Sequence, residues 1–137
     1  AAETVLPLAG LHLLLAEDNE LNSEIATALL EEQGASITAV ENGRLALEAI
    51  QNAAPRTYDA ILMDVMMPEM NGLEATRCIR AYEGKGPGEG TPIIAMTANV
   101  FADDVKACLD AGMNSHVGKP LDMKVLIGEI LKYTDAR

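Results

Sequence analysis

Short apolar runs alternate with longer amphipathic stretches along this chain, and the alternation keeps one order throughout. Leu11–Ala16 (LHLLLA) is apolar without helical period and predicts a buried strand. The polar EDNELN that follows breaks it. Leu21, Ile25, Ala28 and Leu29 then recur at helical spacing, with Glu24, Glu31 and Glu32 opposite, and Gly34 closes that helix. Ser36–Val40 predicts a second strand and Asn42–Gly43 a turn. Leu45, Ala46, Ala49, Ile50 and Ala53 mark a second helix that stops before Pro55. Asp59–Met63 predicts a third strand ending on Asp64, and Gly72 opens a third helix after a loop that holds Pro68. Gly84–Gly90 (GKGPGEG) predicts a flexible surface connection; no GK[ST] follows it, and it leads into a strand, so it is not a phosphate cradle. Pro92–Met96, a helix over 102–111, Ser115–Gly118 and a helix capped by Asp122, with Leu126, Ile130 and Tyr133 on one face, complete the series.

Five strand–helix pairs in strict alternation imply a parallel sheet covered on both faces. Right-handed crossovers make it a doubly wound α/β fold, a single-domain (βα)5 flavodoxin-like arrangement with strand order 2-1-3-4-5. Residues 1–10, small and mixed with Pro7 and Gly10, read as a linker or loosely attached arm, 11–134 as the domain and 135–137 as a tail.

The length of 137 residues fits one domain, and 49% hydrophobic with 23% charged residues fits a globular one. A net charge of −11 argues against nucleic acid and against direct contact with anionic membranes, because both need a basic face. It leaves room for a hard cation where carboxylates converge. Aromatics at 3% provide no stacking platform for bases. Cys78 and Cys108 form no CxxC motif and read as small reduced core residues. No apolar run reaches the roughly 20 residues of a membrane span, and the start lacks the pattern of a signal peptide.

Ligands of open α/β sheets bind beyond the carboxyl ends of the strands. The predicted strands end there on Glu17 and Asp18, on Asp64, on Thr97 and on Lys119. Three carboxylates, a hydroxyl and an ammonium at one edge form a specific group. Carboxylates in contact resist ionisation unless a cation joins them, and Mg2+ takes oxygen ligands. A metal, a lysine and a hydroxyl stabilise a transferring phosphoryl group, and a carboxylate is a known nucleophile for it. Asp64, alone at the end of the central strand, is the best placed. Met66 and Met67 lack the histidine or cysteine neighbours of a soft-metal site and read as packing residues. His12 reads as structural.

Four segments, LLLAEDN (13–19), ILMDVMMPEMNG (61–72), IIAMTAN (93–99) and GKPLD (118–122), occur in an order and spacing that resembles the receiver domain of two-component response regulators and hybrid sensor histidine kinases. The resemblance implies that Asp64 accepts a phosphoryl group from phosphohistidine. It implies Asp18 as a direct Mg2+ ligand, Glu17 as one acting mainly through water, and the Met66 backbone carbonyl as a third protein ligand, with Mn2+ able to substitute. It implies Thr97 and Lys119 as partners of the phosphoryl oxygens, and a cis peptide before Pro120 that turns the lysine inward. Thr97 and His116 would act as switch residues, His116 standing where an aromatic is usual, and Asn99 would tune phosphate lifetime. Phe101 would pack on the fourth helix. Glu17 departs from the commoner aspartate pair.

The wording of the motifs is similar to receivers fused to hybrid kinases. That implies a histidine-phosphotransfer domain or a histidine kinase as phosphodonor, a cytoplasmic setting with a possible membrane tether through the parent, and a module that promotes its own aspartyl phosphorylation and dephosphorylation without being a free-standing enzyme. Asn22, Ile25, Ala26 and Leu29 are candidates for the docking face, with a core role favoured for Ile25 and Leu29. A stand-alone regulator is the alternative within the family. A flavin-binding module and a dehalogenase-like phosphatase are the alternatives outside it. EDNELN would repel a flavin phosphate, and Met66 stands where the phosphatase class needs a second aspartate.

Overall fold

A computed structural model describes residues 6–67, 69–86, 88–98, 102–119 and 121–134. Asn99, Phe101 and Pro120 with its peptide lie outside the described residues, as do 1–5 and 135–137. The order is β1 (His12–Ala16), α1 (Glu20–Glu32), β2 (Ser36–Val40), α2 (Gly43–Gln51), β3 (Ala60–Asp64), α3 (Gly72–Glu83), β4 (Ile93–Thr97), α4 (Ala102–Ala111), β5 (Ser115–Gly118) and α5 (Met123–Thr134). The five strands pair in parallel in the order β2-β1-β3-β4-β5, as the alternation predicts.

The alternation of side chains along each strand divides the core in two. Leu13, Leu15, Leu62, Ile94 and Met96 face α1 and α5, where Ala26, Leu30, Leu126 and Ile130 meet them. Leu14, Ala16, Ile61, Met63, Ile93 and Ala95 face the other way, onto Ala46, Ala75, Ile79 and Cys108 from α2, α3 and α4. β3 and β4 are buried at every position, as central parallel strands must be when both faces are covered. Cys108 is buried and Cys78 half-buried, and no disulfide joins them.

Four expectations change. The α1 residues in the core are Ala26 and Leu30; Leu21 and Ile25 are 63% and 50% exposed, and Leu29 is half-buried. Helical spacing identifies a stripe but not which neighbour covers it. Asn42–Gly43 is no free turn: the Asn42 side chain accepts from the Leu45 N–H at 2.9 Å and starts α2, as Asn71 starts α3. α2 ends at Gln51, short of Ala53. The segment before β1 is attached from Leu6 onward. Leu8 is fully buried in the α1–α5 core, and its N–H donates to the Gln33 carbonyl at 2.9 Å.

Arg80, buried on α3, fastens the edge of the sheet remote from the strands' carboxyl ends. Its guanidinium donates to the Gly112 and Thr91 carbonyls at 2.9 and 2.8 Å, to Asn114 Oδ1 at 2.9 Å and to Glu83 Oε1 at 2.9 Å. Burial pulls the guanidinium below its ordinary range and Glu83 opposes this; arginine stays charged all the same. One side chain thus joins α3, the approach to β4, and the turn between α4 and β5.

Leu8→Ala is expected to cost about 2–4 kcal/mol of unfolding free energy in urea titrations, the range for a buried leucine. Leu6→Ala, at a position 43% exposed, is expected to cost under about 1 kcal/mol. Equal effects would mean that the segment does not pack as described.

Candidate functional site

The carboxyl ends of β1, β3, β4 and β5 deliver the predicted residues to one cleft of about 270 Å3, lined by Glu17, Asp18, Asp64, Met66, Thr97 and Lys119 among others. Asp64 is the last residue of β3 and Thr97 the last of β4, both buried. Glu17 and Asp18 follow β1 directly, Glu17 buried and Asp18 exposed. Lys119 follows β5, and its N–H donates to the Thr97 carbonyl at 2.9 Å, which lays the lysine along β4. Gly72 backs the site. A β-carbon there would lie 2.3 Å from the Asp64 carbonyl oxygen, so only glycine lets α3 start this close to the acceptor strand.

One ammonium serves two carboxylates. Lys119 Nζ stands 2.9 Å from Glu17 Oε2 and 3.0 Å from Asp64 Oδ2. The other Glu17 oxygen accepts the Asn19 N–H at 3.2 Å, and Asp64 Oδ1 accepts the Met66 N–H at 3.3 Å. The extra methylene of Glu17 therefore folds its carboxylate back onto the lysine and the start of α1. Carboxylate oxygens of Glu17, Asp18 and Asp64 all lie within 4.8 Å of one another.

Three carboxylates against one lysine leave an excess of negative charge in a partly buried cleft. Burial pushes the Asp64 carboxyl up to about 6; the hydrogen bond from Lys119 resists this and the Glu17 charge adds to it. For Lys119, burial favours the neutral form, but the bonds to Glu17 and Asp64 outweigh it and raise the ammonium above its ordinary value. The donor set, all oxygen and all anionic, fits a hard divalent cation and not a soft one. Such a cation would offset both the burial of the Asp64 carboxylate and its repulsion by Glu17, and so favour the ionised form.

Among the residues that line the cleft, sequence reasoning named Glu17, Asp18, Asp64, Met66, Thr97 and Lys119. It missed the second half of the Glu17 contact, and Asn19, which caps α1 by accepting the Asn22 N–H at 2.9 Å. The N-cap spacing before the α1 stripe is the signal that would have found Asn19. His116 lies half-buried in β5 opposite Ala95, with no contact to the cleft among the described residues. His12, half-buried at the start of β1, meets Thr38 Oγ1 at 2.7 Å and the Tyr58 ring at 4.7 Å, far from the cleft.

Fold and cleft together define a doubly wound module built around an acidic aspartyl site. The chain belongs to the response regulator receiver domain family, whose profile matches residues 13–131. It is 38% identical over 122 residues to the sensor protein GacS of Pseudomonas syringae pv. syringae, covering 89% of this chain and 13% of that protein. It is 40% identical over 140 residues to probable histidine kinase 1 of Oryza sativa subsp. indica, covering 82% of this chain and 14% of that one. The chain thus spans about a seventh of the curated relatives it matches. Among solved structures it is similar to the receiver domain of sensor histidine kinase PA1611 from Pseudomonas aeruginosa PAO1, crystallised with a magnesium ion coordinated in its active site cleft. That match has 38% identity, a TM-score of 0.80, and covers 93% of this chain and 99% of that one. Family membership removes the flavin-binding and dehalogenase-like alternatives. The acidic cluster of this receiver fold is positioned to bind a divalent cation for aspartyl phosphorylation. No helix among the described residues is long and apolar enough to cross a membrane.

A raised folded-state value means that protonated Asp64 favours the fold. This contribution is complete below the unfolded value near 3.8 and is lost as pH rises through about 6. In metal-free buffer at pH 7.5, Asp64→Asn is therefore expected to be more stable than the wild type by on the order of 1–3 kcal/mol. The difference should shrink toward pH 4.5, as read from urea midpoints. An Asn variant no more stable at pH 7.5 would contradict the burial argument.

Proposed function

We propose that this chain is the receiver of a hybrid sensor histidine kinase, residues 11–134 forming the receiver, 1–10 the incoming linker, docked on it through Leu8, and 135–137 a tail. In this reading it takes a phosphoryl group from a phosphohistidine of a histidine-phosphotransfer domain or a kinase onto Asp64. The observation that carries the reading is the convergence of Glu17, Asp18 and Asp64 within 4.8 Å, with Lys119 bridging two of them. The hybrid origin is supported by relatives that are named sensor proteins and histidine kinases, at 34–40% identity. They favour it over a stand-alone regulator.

Glu17, Asp18, Asp64 and the Met66 carbonyl would hold Mg2+, or Mn2+ in its place. When bound, the metal supplies positive charge to the phosphoryl oxygens and lowers the repulsion among the carboxylates. The chain's own residues do the rest. An ionised Asp64 oxygen attacks phosphorus; the P–N bond to the donor imidazole breaks, and its electron pair returns to that nitrogen. Lys119 is already 3.0 Å from Asp64 Oδ2, within reach of a phosphoryl oxygen formed there. Thr97, buried at the end of β4, offers a hydroxyl to the same group. The new charge of about −1.5 to −2 draws Thr97 and Lys119 toward it and biases the surface of α4, β5 and α5, with His116 as the β5 side chain that responds. Asn99 would set access of the attacking water, and a cis peptide before Pro120 would aim Lys119.

The donor's docking face is supported by exposed Leu21 and Ile25 on α1, beside a cavity of about 480 Å3 whose wall includes Ile25, Leu29 and Leu121 and whose rim carries Glu17 and Lys119. Buried Ala26 is left to the core.

Incubation with a phosphorylated histidine-phosphotransfer domain and Mg2+ is expected to give label on the protein that alkali removes. Asp64→Asn and chelation of the metal should each reduce it to background. Alkali-stable label, or label that survives in Asp64→Asn, would overturn the reading.

A further inference from the structure

Residues 65–71 join Asp64 to α3 and carry Met66, which lines the cleft. The near end of this segment is tied to the sheet, where the Val65 N–H donates to the Met96 carbonyl at 3.2 Å. The far end leans on α2. The Gly43 N–H donates to the Met70 carbonyl at 2.9 Å, and a β-carbon on Gly43 would lie 2.4 Å from that oxygen. Between the two ends stands Glu69 with φ +64, a left-handed conformation in which a glutamate β-carbon is crowded. Its side chain is held by Arg44, whose Nε donates to Glu69 Oε2 at 3.2 Å. Arg44 Nη1 also donates to Glu48 Oε2, one turn along α2, at 3.1 Å, so one guanidinium bridges Glu48 and the loop.

We propose that Arg44 is a positioning residue for the cation site: by holding Glu69 in its left-handed turn it keeps the Met66 carbonyl at the cleft. The inference rests on the Mg2+ site of the proposed function. Both side chains are more than half exposed, at 52% and 58%, so the pair is weak and screened by salt. Backbone strain at a left-handed non-glycine residue is as large as such a pair or larger, so the turn at Glu69 has little reserve. Loss of the pair therefore tips the turn toward other conformations without unfolding the domain. A glycine at 69 occupies the left-handed region freely and needs no partner.

Mg2+ titration of the whole chain, followed by amide NMR shifts, tests this role. Arg44→Ala is expected to weaken Mg2+ binding about threefold, a change of the size that exposed ion pairs support, with the thermal midpoint nearly unchanged. Adding Glu69→Gly to Arg44→Ala is expected to restore wild-type binding, and Arg44→Lys to retain most of it. Arg44→Ala with wild-type Mg2+ affinity overturns the role, whether or not its melting temperature moves. So does an Arg44→Ala, Glu69→Gly double variant that stays weak. A wild-type chain that takes up no Mg2+ would instead overturn the cation site itself, and the Arg44 role with it.

Discussion

Much of this molecule is arranged around a conflict of charge at one end of the sheet. Glu17, Asp18 and Asp64 are brought together with a single lysine to balance them. Left alone, such a group would be pushed apart by repulsion or neutralised by protons; burial is what chiefly pushes the Asp64 carboxyl up, and the Glu17 charge adds to it. The fold prevents separation because Glu17 and Asp18 follow β1 and Asp64 ends β3, two strands whose positions are fixed by hydrogen-bonded pairing. β1 and β3 pair from Leu13 with Ala60 to Ala16 with Met63, which fixes Glu17 beside Asp64 as a consequence of register. β4 and β5 do the same for Thr97 and Gly118, and the next residue is Lys119.

Holding the front edge under repulsion requires a firm rear edge. Arg80 fastens α3 to Thr91 before β4 and to Gly112 and Asn114 before β5, and Asn114 Oδ1 also accepts the Ile93 N–H at 2.9 Å. A buried guanidinium that satisfies four acceptors resists movement, since losing any one leaves a buried polar group unpaired. The ends of β4 and β5 remote from the cleft are thereby tied to α3, whereas Thr97 and Lys119 stand at their carboxyl ends. Leu8 does similar work for α1, closing the core beneath the helix whose first turn flanks the cleft.

Strand order and the cleft residues were legible in the sequence because both follow from local signals: apolar runs of strand length, and polar residues where those runs end. What was not legible depended on partners distant in the chain. The α1 stripe read from Leu21, Ile25 and Leu29 is a true helical face, but nothing in its spacing states that Ala26 and Leu30 meet β1 while Ile25 meets solvent. Leu8 lies among small residues and a proline, a composition typical of linkers, and its burial is fixed by Gln33 across the end of α1. Arg80 looks like one more charge on an amphipathic helix until four acceptors from other segments surround it. Asn42–Gly43 carried the residues of a turn; the Asn42 side chain instead caps α2 through the Leu45 N–H, and the Gly43 N–H adds a tertiary contact to the Met70 carbonyl.

The acidity of the chain thus contains two kinds of charge with opposite consequences. Carboxylates such as Glu24, Glu31 and Glu32 on exposed positions of α1 are solvated and contribute little beyond solubility. Buried Asp64 is held where ionisation is unfavourable, so the metal-free domain carries a local cost for its own site. A cation that relieves this cost binds the folded form and stabilises it to a degree set by its affinity and concentration. Stability and occupancy of the cleft are therefore linked. A substitution that makes the empty site more comfortable, by removing a carboxylate or neutralising it, removes part of the force that draws a cation in.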